Sequence, residues 1–314
     1  MKRLISIIIS LIILALIYTR IDFAELVEAL QNSHAGWMLV AIAMTIPLVM
    51  LTAWRLQQLI PSGERLPFGE AVRLILAASG LNLVLPSKMG DIAKAYFMQQ
   101  RGYLTGSLAL SLVIFEKACD MLSLLVWCVF GLILYTDKDG LFWVLTGCVA
   151  LGLGLGLLLL GSERFARLFF DLGRRFTPGR FRPKLENLQG SWLEMHTYFW
   201  QDQARLNRVF AISLFIWFLH LSQIWLFILA LRAWVPLLTN LALAPLSILA
   251  GLLPLTFAGV GTRDAAVILF YNPFLTTPTA AALGLLFTLR YLLPGLGGLP
   301  FLSQYMQVKA VRNP

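Results

Sequence analysis

Several windows of this chain are apolar on every side for about 20 residues, the length of helix that crosses a hydrocarbon layer of roughly 30 Å. A helix in a soluble core carries one apolar stripe and turns its other face to water. A segment that is apolar all round has no such face and belongs in lipid. Windows of this kind run over about residues 4–20, 36–56, 105–135, 141–161, 207–231 and 278–294. Composition agrees: 59% of residues are hydrophobic and 13% are charged, whereas a soluble domain carries about a quarter charged. The expected fold class is all-α, a polytopic transmembrane helix bundle of about six full spans, and residues 1–314 read as a single integral membrane domain.

The N-terminus, Met1-Lys2-Arg3 followed by an apolar run from Leu4 to Tyr18, has the charged and hydrophobic regions of a signal peptide. Thr19-Arg20-Ile21-Asp22 then stands where a small-x-small cleavage site would be, so the run reads as a retained first span. Lys and Arg in short loops set orientation. They occur at Lys2 and Arg3, at Lys309 and Arg312, and in a hydrophilic loop over 162–206 that holds Arg164, Arg167, Arg174, Arg175, Arg180, Arg182, Lys184 and Arg205. The loop near 136–140 has Lys138 between two aspartates. Both termini and the basic loop are therefore expected on the cytoplasmic side. The loop mixes arginine with phenylalanine and reads as charge lying on anionic lipid, with a funnel for substrate headgroups as the functional alternative. The net charge of +9 would otherwise invite nucleic acid, but no recognition motif accompanies it, and no nucleic-acid partner is expected.

Two further apolar stretches, about 68–100 and 238–272, are broken by proline and glycine and then resume. The first reads Gly80-Leu-Asn82 through Pro86-Ser87-Lys88-Met-Gly90-Asp91 and continues through Lys94. The second reads Gly251-Leu-Leu-Pro254 through Gly259-Val-Gly261-Thr262-Arg263-Asp264. The spacing from Gly80 to Gly90 equals that from Gly251 to Gly261. Counting spans gives the two units, about 36–135 and 207–294, the same order and opposite orientation, the pattern of an inverted-repeat transporter with two re-entrant elements. A broken helix in lipid leaves unpaired backbone groups, so each break should face protein or a watery cavity. The half-helices starting near Asp91 and Thr262 would aim N-termini inward, where partial positive charge and free N–H groups suit phosphate or carboxylate. Lys88 and Arg263 would add full charges.

Glu116, Lys117 and Asp120 lie near the middle of the 105–135 window. An ionisable group at that depth is unfavourable by at least about 2.5–3.5 kcal/mol, so these three should line a cavity or pair. Arg290, deep in the corresponding span of the second unit, is the candidate partner of the two acids, as a gate or a brace; the alternative is a structural salt bridge, Lys117 to Asp120 or either acid to an arginine elsewhere. His220 reads as a hydrogen-bonded core residue, and Gly152 and Gly156 as a G-x-x-x-G that admits another helix. Cys119, Cys128 and Cys148 lack metal or disulfide spacing and read as buried apolar side chains. Nucleotide-binding, nucleophile-elbow and zinc-protease signatures are missing from these residues. No cofactor, no metal and no catalytic residue is expected, and the chain does not read as an enzyme.

Taken together, Asn82…Pro86-Ser87…Gly90-Asp91, then Glu116-Lys117-x-x-Asp120, then Pro254…Gly259-Val-Gly261-Thr262-Arg263-Asp264, then Arg290 resemble the lysylphosphatidylglycerol synthase transmembrane-region family, also called the flippase-like domain family. The resemblance spans about residues 4–305. Lys117 stands where the family usually has Arg, and Asp264 where Glu is common; both keep the charge, while Lys loses the planar fork of Arg. In longer members this domain is thought to flip aminoacylated phosphatidylglycerol made by a soluble transferase domain. That domain is not among these residues, so the synthase name is not carried over as an activity. The resemblance implies a multi-pass protein of a bacterial cytoplasmic (inner) membrane that moves an anionic or aminoacylated phospholipid, or a polyprenyl-linked lipid. Competing readings are a membrane-embedded transferase with Glu116 or Asp120 as base, and a non-catalytic partner of an envelope-lipid or glycosyltransferase enzyme. Glycine-rich contacts permit a homodimer.

Overall fold

In lipid every backbone N–H and C=O must find a partner within the protein, and a helix satisfies them locally. The structure, a computed structural model, describes residues 23–61, 65–85, 89–135, 138–179, 182–252 and 261–307, and among them all regular structure is helical. A short α1 (Phe23–Gln31) precedes α2 (Ala35–Ala43) and α3 (Thr45–Leu59), which together form the span expected over 36–56. The step between them is at Met44, and Pro47 lies in the first turn of α3, where a residue without an N–H is tolerated. The first broken stretch folds as α4 (Phe68–Val84) and α5 (Met89–Gln100), followed by the long α6 (Gly106–Leu134) and α7 (Gly140–Gly161).

The 162–206 region is not a loop. It forms α8 (Glu163–Phe176) and α9 (Arg182–Gln201). Counting its charges hides an apolar stripe: Trp192, Met195 and Phe199 recur at helical spacing and are all buried. Then come α10 (Gln203–Ala230), the second broken stretch as α11 (Leu237–Leu252) and α12 (Thr262–Tyr271), and α13 (Thr277–Gln307). α13 outruns the expected end at 294 and continues through Pro294 and Pro300. Ending the helix at a proline would strand several backbone groups, whereas running through it strands fewer.

Among the described residues, five helical paths are long and apolar enough to cross a membrane: Ala35–Leu59, Gly106–Leu134, Gly140–Gly161, Gln203–Ala230 and Thr277–Tyr305. The protein is a polytopic membrane helix bundle. The expected first span, 4–20, lies outside the described residues.

Packing follows a repeated scheme. α4 lies along α13 and α11 along α6, while α5 packs on α6 and α12 on α13. Exchanging the two units maps each pairing onto its counterpart. Glycine permits both long contacts. A Cβ on Gly298 of α13 would stand 1.8 Å from the Leu76 carbonyl oxygen of α4, and one on Gly131 of α6 would stand 2.3 Å from that of Ala242 on α11. Gly152 and Gly156 admit a helix as expected, and that helix is α6 of the same chain: added Cβ atoms would stand 3.0 Å from Leu125 and 2.7 Å from Leu122. That glycine face is thus already covered within the chain. Cys119 and Cys128 are buried, but Cys148 is exposed on the outer face of α7.

The buried side chains form two large clusters. One contains Leu112, Phe115 and Cys119 of α6 with Tyr305 of α13; the other contains Leu124 and Cys128 of α6 with Leu283 and Phe287 of α13. α6 and α13 each pass from one cluster to the other. The charges of both helices, Glu116 to Asp120 and Arg290, sit in that passage.

Candidate functional site

The first unit gathers six charges from three helices into one network, joined by a serine of a fourth. Arg55 of α3 is 1% exposed. Its guanidinium donates to Glu116 Oε1 at 3.0 Å, to both carboxylate oxygens of Asp120 (the longer contact 3.3 Å), and to Ser213 Oγ of α10 at 3.0 Å. Lys94 of α5, also 1% exposed, pairs with Glu116 Oε2. Lys117 pairs with Asp91 at 3.1 Å and with Asp120 at 3.5 Å. Among the described residues three cations meet three carboxylates, which makes the network neutral, as burial demands. It also has a direction: the Glu116 and Lys94 side chains are 1% exposed, while that of Lys117 is 43% exposed. A lysine ammonium near mid-span does not face lipid, and Lys117 is the accessible end of the network.

The start of α5 explains how Asp91 and Lys94 reach this place. The Gly90 N–H donates to Asn82 Oδ1 at 2.8 Å across the break, and a Cβ on Gly90 would stand 2.2 Å from the Ala78 carbonyl oxygen. Only glycine lets the second half-helix sit this close to the first. Asn82 thereby occupies an N–H at the α5 N-terminus that the sequence offered to an anion.

The second unit repeats the arrangement with other charges. Gly261 takes φ +101° just before α12, a conformation open to glycine. Its N–H donates to Asp264 Oδ2 at 3.0 Å. Asp264 Oδ1 accepts from Arg263 at 2.7 Å, and Arg263 reaches Thr288 Oγ1 at 2.8 Å and the Gly284 carbonyl at 3.3 Å on α13. The N-terminus of α12 is therefore closed by its own Asp264. Thr262 starts the helix beside it.

Arg290 does not meet Glu116 or Asp120. Those acids belong to Arg55, which lies in an apolar span and was open to the same reasoning that singled out Glu116. Arg290 is 3% exposed, donates to the Tyr291 hydroxyl at 2.7 Å and to the His220 carbonyl at 3.5 Å, and lies over the Phe287 ring at 5.7 Å, with Arg263 at 5.5 Å from the same ring. Among the described residues no carboxylate is within ion-pair distance of it. Ser213, bonded to Arg55, and His220, whose carbonyl Arg290 reaches, are seven residues apart on α10. Two helical turns bring them onto one face about 10 Å apart. Pro86, Ser87, Lys88, Pro254 and Gly259 lie outside the described residues.

The family model described as lysylphosphatidylglycerol synthase TM region matches residues 3–298. The chain belongs to this family. Relatives within reach of direct comparison include a UPF0104 membrane protein of Methanocaldococcus jannaschii, 24% identical over 95% of this chain and 93% of its own length. Another is a UPF0104 membrane protein of Methanothermobacter thermautotrophicus, 23% identical over 90% and 88%. Both relatives are archaeal, and both are described as membrane proteins. In this member of the lysylphosphatidylglycerol synthase TM-region family, the described polar side chains of the four motif blocks fall into two groups, one made neutral by Arg55 and Lys94 from outside the blocks and one carrying a single excess positive charge.

Proposed function

We propose that the protein moves a lipid with a polar, phosphate-bearing headgroup across a cytoplasmic membrane, with both termini on the cytoplasmic side. The headgroup passes between the two broken-helix units while the acyl or polyprenyl tail stays in lipid. The observation that carries this reading is Arg290: a buried cation, in a membrane span, with no carboxylate partner among the described residues. Such a charge is retained where a partner arrives from outside, and a phosphate supplies both the negative charge and acceptors that a guanidinium fits. Arg263, held at the same ring, stands ready to share it.

The neutral network of Arg55, Lys94, Lys117, Asp91, Glu116 and Asp120 acts as the closed gate. Its exposed end at Lys117 is where a headgroup first meets charge. The matched packing of the two units supports alternating access between them. A transferase that uses Glu116 or Asp120 as base fits less well, because Arg55 and Lys94 already occupy the oxygens that would accept a proton.

Translocation in proteoliposomes tests the reading. Purified protein is reconstituted with fluorescent anionic, zwitterionic and aminoacylated phospholipids, and label in the outer leaflet is quenched over time. Rapid loss of protected label, abolished by Arg290→Gln and by Glu116→Gln, is the expected result. Folded protein that moves none of these lipids nor a polyprenyl phosphate would overturn it and shift weight to a partner role beside an envelope-lipid enzyme.

A further inference from the structure

Helix α8 presents three distinct faces. Ala166, Phe170 and Gly173 turn toward α9: Ala166 is fully buried, the Phe170 ring lies 6.5 Å from that of Trp192, and Gly173 meets Leu185. A second face carries Leu168, Phe169, Leu172 and Phe176, which are 64%, 52%, 51% and 82% exposed. At about 100° per residue these four fall within roughly a third of the helix circumference. The third face holds Glu163, Arg164, Arg167, Asp171, Arg174 and Arg175. Its two acids pair with Arg167 and Arg174, and Arg164 and Arg175 flank the exposed apolar stripe.

The helix is also held at a fixed height. Ser162 ends α7 and caps α8, accepting from the Phe165 N–H at 3.2 Å, so no linker separates the two. Trp200 of α9 donates to the Leu160 carbonyl at 2.8 Å, which ties α9 to the end of the same span. α8 therefore starts where α7 leaves the hydrocarbon. Its protein-facing side is already used, so the apolar stripe cannot be turned inward.

We propose that α8 lies in the membrane interface with its phenylalanine and leucine stripe among the acyl chains, and that Arg164 and Arg175 bind the headgroups of anionic phospholipid. A strong apolar face, a basic border and low overall hydrophobicity are what an interfacial helix needs. The inference rests on the membrane bundle and stands whether or not the protein transports lipid.

The test uses the full-length protein in nanodiscs. In a Cys148→Ser background, with the two buried cysteines retained, Leu172→Cys and Asp171→Cys are labelled with an environment-sensitive fluorophore. Bromolipid and aqueous iodide are the two quenchers, with phosphatidylcholine alone or mixed with phosphatidylglycerol. Bromolipid should quench the Leu172 site and iodide the Asp171 site. Adding phosphatidylglycerol should shift the Leu172 label further into lipid, and Arg164→Gln with Arg175→Gln should remove that shift, two surface charges together amounting to about 30-fold in the helix–lipid equilibrium. Equal iodide quenching at both sites would overturn the interfacial placement. Lipid quenching indifferent to phosphatidylglycerol would overturn the anionic-headgroup assignment. A Leu172 label shielded from both quenchers, in discs holding two copies, would instead make this face a contact between chains.

Discussion

Replacing Arg55 by methionine removes one cation from a network of three cations and three carboxylates. Glu116 keeps Lys94 and Asp120 keeps Lys117, but one negative charge is left in excess where Glu116 is 1% exposed. Breaking a buried pair by removing one partner destabilises by about 3–5 kcal/mol. At roughly 2–4 °C per kcal/mol, the melting midpoint in detergent, followed by tryptophan fluorescence, should fall by on the order of 10 °C. Arg55→Lys keeps the charge and loses the fork that spans Glu116, Asp120 and Ser213, so it should fall between wild type and Arg55→Met. The decisive variant is Arg55→Met with Asp120→Asn. It leaves Lys94 with Glu116 and Lys117 with Asp91, two cations against two acids. If balance of charge governs this zone, the double variant recovers part of the loss, with a coupling of about 1–3 kcal/mol. Losses that simply add would refute the reasoning.

Gly298→Ala sets a Cβ against the Leu76 carbonyl at 1.8 Å, and α13 must move from α4; a loss of about 1–3 kcal/mol is expected, against little change for Gly154→Ala, which meets nothing within 4 Å. Arg290→Met should leave the melting midpoint unchanged or raise it, since it removes a buried cation without an acid partner while abolishing transport of anionic headgroups; a large fall in midpoint would make Arg290 a brace. Burial lowers the pKa of His196 below its usual 6.5, outweighing the pull of Glu163. The unfolded chain then binds the proton more readily, so stability is full above pH 6.5 and declines as pH falls below it; midpoints at pH 7.5 and 5.5 should show this in wild type and less in His196→Phe.

The spans were legible because lipid allows few alternatives: 36–56, 105–135, 141–161 and 207–231 appear within a few residues of their expected ends. α13 was cut short because Pro294 ends helices in water, where freed carbonyls find solvent, and does not in a bundle packed on α4. α8 and α9 were missed because their charges drew the reading to topology, though Trp192, Met195 and Phe199 already carry the helical period. Within the site, Glu116, Lys117 and Asp120 were found by their depth. The two units suggest a pairing with Arg290 across the repeat, whereas the structure has the alternative, Lys117 with Asp120 and both acids with another arginine. Arg55 satisfies the acids from a neighbouring span, which no periodicity reveals.

The pairing of the acids with Arg55 instead of Arg290 also distinguishes the two units. They pack alike, α4 on α13 and α11 on α6, yet the charges on the two long helices are opposite in sign. On α6 the acids are matched by cations from α3 and α5; on α13 the cation has only neutral oxygens and aromatic faces around it among the described residues. A symmetric scaffold with symmetric charge would hold any polar headgroup equally at either mouth. Among the described residues the network of the first unit is already balanced and the cluster of the second carries one positive charge in excess. A phosphate completes the second without disturbing the first, whereas a cationic group could enter the first only by displacing Lys117, Arg55 or Lys94 from its carboxylate. In our reading that imbalance favours the phosphate of a headgroup over any amine attached to it, and it places the first committed contact on α13 rather than on the glutamate of α6.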